Sequence, residues 1–60
     1  MKYSELIRKL KANGCYEVSH GARHDKWYCP KTNRHFTVPR HTGKEVPKGT
    51  EKSIFEDAGL

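Results

Sequence analysis

Two apolar stripes of helical period bracket the chain, and the stretch between them has the alternating pattern of strands. Tyr3, Leu6, Ile7 and Leu10 recur at i, i+3, i+4 and i+7, which is one face of a helix. Arg8, Lys9 and Lys11 point elsewhere, and Glu5 lies in the first turn, where the helix dipole favours an acid. Asn13-Gly14 stops the repeat, with Gly14 suited to the left-handed position after a helix, so the spacing predicts a helix over Tyr3–Ala12. At the other end Thr50, Ile54 and Ala58 recur at i, i+4 and i+8, with Phe55 widening the stripe. Pro47 suits the first helical position, where its missing N–H costs nothing, and Gly59 suits the cap.

Between the helices, Cys15–Ser19 alternates, with Tyr16 and Val18 on one side and Glu17 on the other, which predicts a short half-buried strand. His20-Gly21-Ala22-Arg23 breaks it. A second strand is predicted over His24–Cys29, followed by the turn sequence Pro30-Lys31-Thr32-Asn33. The third runs over Arg34–Val38, with Phe36 and Val38 on one face and His35 and Thr37 on the other. Pro39 ends that strand or marks an exposed edge, and Arg40–Val46 reads as loop. A helix with one apolar face must bury it, so both helices are expected on the same side of the sheet, leaving the other side wet. The expected architecture is α+β: helix, three antiparallel strands, helix, in a single domain over residues 1–60.

Sixty residues bury only about 60% of the surface exposed by the unfolded chain, so no second core fits. The net charge is +5, with lysine and arginine spread along the chain, a balance that favours a polyanionic partner, either nucleic acid or an acidic protein. The two cysteines, Cys15 and Cys29, form no C-x-x-C pair, and a secreted mini-protein of this size would usually carry more. No apolar run approaches a signal-peptide core or a membrane span. The expectation is a cytoplasmic protein with reduced thiols and no membrane association. Cys29, His35 and His41 are evenly spaced, with Cys15 as a conceivable fourth ligand, but structural zinc normally shows two close-spaced pairs. Neither metal nor cofactor is expected.

Parity puts His24, Lys26 and Tyr28 on one face of the second strand, opposite Asp25, Trp27 and Cys29. Trp27 and Cys29 are good core residues, whereas Lys26 is not. The wet face is therefore expected to carry His24, Lys26 and Tyr28, joined by His35 and Thr37. Imidazoles, an ammonium and a phenol suit single-stranded RNA, which offers stacking surfaces and phosphates. His24 opens its strand beside Arg23, and an imidazole both takes and gives a proton near neutral pH. The attacking group would be the ribose 2′-hydroxyl and the electrophile the adjacent phosphate, with Arg23 and Lys26 as the nearby cations. Lys31, Arg34 and Arg40 are vaguer candidates. As proton-transfer groups, His20, His35 and His41 read as ordinary surface histidines.

Taken together, these segments resemble the HicA toxins of bacterial and archaeal type II toxin–antitoxin systems. The likeness spans essentially the whole chain. It rests on Ser4-Glu5-Leu6-Ile7, Asn13-Gly14, and Gly21-Ala22-Arg23-His24-Asp25 with Tyr28 following. It continues through Phe36-Thr37-Val38-Pro39-Arg40-His41, Lys48-Gly49-Thr50, Ser53-Ile54 and Ala58-Gly59-Leu60. The resemblance implies a fold like that of double-stranded-RNA-binding domains, and a small ribonuclease that cuts messenger RNA without a metal. It also implies one catalytic histidine near the start of the second strand, which in the Gly-x-x-His register is His24. Many members read Gly-Ser-His or Gly-Ser-Asn-His, where this chain has Gly21-Ala22-Arg23-His24. Gly21, Arg23, Lys26, Tyr28 and His35 would then contact RNA, and a HicB-type antitoxin would dock around His24 and block it. Two rival readings use the same face: a non-catalytic RNA-binding module, and a degenerate toxin acting only as an antitoxin-binding partner.

Overall fold

The computed structural model describes residues 1–41 and 43–60. Its elements are α1 (Tyr3–Ala12), β1 (Tyr16–His20), β2 (His24–Cys29), β3 (Arg34–Pro39) and α2 (Lys48–Ala58). The strands form one antiparallel sheet in the order β1-β2-β3. Trp27, Cys29, Phe36 and Val38 from one sheet face join Tyr3, Leu6 and Leu10 of α1 and Ile54 and Ala58 of α2 in a single core cluster. Both helices therefore cover the same face, as the two stripes require, and the opposite face is open.

The C-terminal end of α2 is satisfied by side chains far away in sequence. Asn13 does stop α1, and its amide also donates to the Ala58 carbonyl at 2.6 Å. The Thr32 hydroxyl donates to the Asp57 carbonyl, and the buried Cys29 thiol to that of Ala58 at 3.2 Å. The last carbonyls of a helix have no partner within it, so these bonds both close α2 and dock it on the sheet. Gly59 follows in the left-handed conformation at φ +75°. Burial pushes the Cys15 thiol up to about 11, so it is an inert core group rather than a nucleophile.

Three expectations are corrected. Pro47 is extended (φ −58°, ψ 144°) and precedes α2 instead of opening it. Cys15 lies outside β1 and is buried, whereas all five residues of β1 are exposed rather than half-buried. The register of β1 on β2 runs Tyr16↔Tyr28, Glu17↔Trp27, then Ser19↔Lys26, so a bulge at Val18 breaks the alternation on an edge strand. The stretch read as loop is tied down where it is described: the Tyr3 N–H donates to the Lys44 carbonyl at 3.0 Å, and the Val46 N–H to that of Met1 at 2.9 Å. Val46 itself enters the core. Thr42, in the same stretch, lies outside the described residues.

Candidate active site

His24 is the first residue of β2, exposed and paired with Pro39 across the β2–β3 ladder. Antiparallel pairing then carries the chain beyond β3 past the β1–β2 turn, and the Arg40 N–H donates to the Arg23 carbonyl at 3.2 Å. This register alone brings the Pro39-Arg40-His41 segment to His24. Together Ala22, Arg23, His24, Arg40 and His41 line a pocket of about 580 Å³ at this end of the sheet. Two histidines and two arginines are among the residues lining it, and none of the described residues lining it is acidic. The His41 ring meets Tyr3 edge-on, with centroids 6.0 Å apart.

The turn that presents His24 is held from inside and from across the sheet. The Gly21 N–H donates to the His24 carbonyl at 3.1 Å, closing it. Arg40 donates from Nη2 to the Gly21 carbonyl and to Asp25 Oδ1, the latter at 3.0 Å. That guanidinium holds the Asp25 carboxyl below the usual carboxylate range. The same Asp25 oxygen also lies 3.1 Å from His20 Nδ1, which in turn sits 3.1 Å from Glu17 Oε1. Glu17, His20 and Asp25 bring their ligand atoms within 4.8 Å of one another, a grouping that the sequence reading did not anticipate. It faces the helix side of the sheet, away from Lys26 and Tyr28. With Arg40 already on the shared oxygen, we read it as a polar network that braces the turn.

Glycine is needed at position 21 for space rather than for an unusual backbone angle. A Cβ there would run into the His24 carbonyl oxygen, a backbone atom that cannot swing aside. Gly21→Ala is therefore expected to force the turn open and to cost about 1–3 kcal/mol, as overpacked sites do. Urea denaturation would measure the cost, and cleavage assays the displacement of His24.

The other sequence-selected residues lie along the open face. Lys26 is exposed opposite Thr37, and Tyr28 is half-buried opposite His35, its ring 4.7 Å from the imidazole. The site thus separates into a pocket with Arg23 and His24, and a face with Lys26, Tyr28 and His35. Cys29 points into the core while His35 is on the open face, so the evenly spaced zinc set does not converge. Sequence reasoning ranked Arg40 and His41 low, though both line the pocket, and did not foresee that Asp25 anchors Arg40. The signal for the first two was there: counting back along an antiparallel pair from the Pro30–Asn33 turn puts residue 39 against residue 24.

The chain matches the family model described as the HicA toxin of bacterial toxin–antitoxin systems over residues 3–60. The chain belongs to the HicA toxin family. A curated relative from Photorhabdus laumondii, named "Probable mRNA interferase HicA 2", is 38% identical over 60 residues, covering all of this chain and 98% of that protein. No solved structure matches the chain significantly. Ala22–His24 and Arg40-His41, which belong to two of the segments that carried the resemblance in sequence, line the pocket described above.

Proposed function

We propose that this HicA toxin is an endoribonuclease that cleaves messenger RNA without a metal, with His24 as the general acid/base. The observation that carries the proposal is the exposed imidazole of His24 in a pocket with Arg23 and Arg40 and no acidic lining among the described residues. His24 takes the proton of a ribose 2′-hydroxyl, the 2′-oxygen bonds to the adjacent phosphorus, and the bond from phosphorus to the 5′-oxygen breaks. The leaving 5′-oxygen takes up a proton, giving a 2′,3′-cyclic phosphate and a 5′-hydroxyl end. In an in-line displacement the attacking and leaving oxygens stand on opposite sides of phosphorus. The second imidazole of the pocket, His41, is the group on hand for the leaving side. Arg23 and Arg40 face the charge that develops on the phosphoryl oxygens. Lys26, two residues along the strand from His24 and about 6.6 Å away at a strand's rise per residue, is placed for a neighbouring phosphate.

A HicB-type antitoxin would neutralise this site by covering the pocket around His24. A chain of net charge +5 favours an acidic surface on that partner. The test is to incubate the protein with messenger RNA in excess EDTA. Cleavage should persist, with cyclic-phosphate and 5′-hydroxyl ends. Activity that disappears in EDTA and returns with a divalent ion would overturn the metal-free mechanism.

A further inference from the structure

Three rings lie side by side across the open face, one from each strand. Tyr16 of β1 meets Tyr28 of β2 edge-on at 5.7 Å between centroids, and Tyr28 meets His35 of β3 at 4.7 Å. The central ring is fixed at its far end, where the Tyr28 hydroxyl donates to Asn33 Oδ1 at 2.6 Å. Asn33 holds that position in the turn with φ at +57°. Tyr16 is 50% exposed, among the most exposed large apolar side chains of the molecule. No acidic side chain among the described residues shares this face: Glu17 and Asp25, the strand carboxylates, are on the helix side with Trp27. Beside the rings the same face carries Lys26 and His24, with the small polar Ser19 and Thr37 opposite Lys26.

We propose that Tyr16, Tyr28 and His35 form a base-stacking platform that selects unpaired RNA over duplex and feeds the strand along β2 towards His24. The proposal rests on the ribonuclease reading above and names the form of RNA that the enzyme takes. Unpaired bases offer π-faces that aromatic side chains stack on, at roughly 1–3 kcal/mol each, whereas a duplex keeps those faces inside its own stack. Aromatic residues presented from adjacent strands of an open sheet are a known way to hold two or three bases. The pre-set Tyr28 ring loses little freedom when a base lands on it. Charge selects the ligand as well: a face with cations, rings and no carboxylate fits a flexible polyanion. Tyr28 is four residues from His24 on the same side of one strand, about 13 Å away, a span that a few nucleotides bridge. The scissile phosphate is thus set a few nucleotides from the stacked bases.

The test uses the whole sixty-residue chain carrying His24→Ala, expected to hold RNA while cutting it far more slowly, with a short single-stranded oligoribonucleotide and a hairpin duplex of equal length. The single strand should bind at least tenfold more tightly. Tyr16→Leu and Tyr28→Leu, made in the same background, should each weaken single-strand binding by about tenfold while leaving duplex binding unchanged. Scanning abasic sites through the oligonucleotide needs no change in the protein, and two or three adjacent positions should each reproduce that loss. Equal binding of strand and duplex, or indifference to every abasic site, overturns the platform. So does a Tyr16→Leu protein that keeps its RNA affinity but loses its antitoxin, which would make the ladder a protein-docking surface. If cleavage in EDTA persists while these results go against the platform, only this inference falls. If cleavage is absent, the ribonuclease reading falls first.

Discussion

Replacing His24 with alanine is expected to lower RNA cleavage by about 10²–10⁴-fold, the range that a positioned proton-transfer group contributes. The fold should not change. The His24 side chain is exposed, and its position in the turn depends on its carbonyl, which accepts from Gly21, and on ladder pairing with Pro39. Alanine keeps both. Thermal melting of wild type and variant should coincide, so a loss of rate can be assigned to chemistry. Binding of uncut RNA should also survive, since Arg23, Arg40 and Lys26 remain. Expression of the wild type alone should arrest growth, and His24→Ala should not. A variant that cleaves RNA at the wild-type rate would remove the imidazole from the mechanism and favour His41 as the working group.

The architecture was legible because each helix and strand announces itself by period. Tyr3, Leu6 and Leu10 repeat as a helix face must, and Trp27, Cys29, Phe36 and Val38 alternate as a half-covered sheet must. The side on which His24, Lys26 and Tyr28 emerge followed from that parity alone. Legibility stopped where two segments meet. Tyr16 and Val18 alternate correctly in sequence, but pairing with Tyr28 turns Tyr16 to the open face and Val18 falls in a bulge, and nothing local marks either. Asn13 advertises a helix end and gives no hint that its amide caps the other helix at Ala58. Arg40 looked like one of several loose cations, because its value comes from the β2–β3 register, which a local pattern does not display. The candidate catalytic histidine could be read from the turn that carries it, whereas its surroundings had to be folded to be seen.

Arg40 should be the second most sensitive position, because one guanidinium serves two purposes. It is a cation lining the pocket, and it ties Gly21 on one side of the turn to Asp25 on the other. Arg40→Ala is expected to slow cleavage by about 10²–10³-fold, the cost of removing one preorganised group that stabilises transition-state charge. Arg40→Lys separates the two purposes. Lysine keeps the charge but lacks the planar fork that holds two acceptors at once, so the turn loosens while the field persists. Its rate should fall between wild type and alanine, and Asp25→Asn, which leaves Arg40 but removes its carboxylate partner, should fall near Arg40→Lys. Titration gives a readout independent of rate. Arg40 lowers the folded-state pKa of Asp25, so the stability that this link contributes is fully present above the unfolded carboxyl value near 4 and is lost as pH falls through the lower folded value. In Arg40→Ala the folded value should move back up towards 4, visible in an NMR titration of the Asp25 carboxylate, and that contribution should vanish. An Asp25 titration unmoved by Arg40→Ala would mean that the guanidinium does not hold the turn in solution, and any loss of rate would then belong to its charge at the phosphate alone.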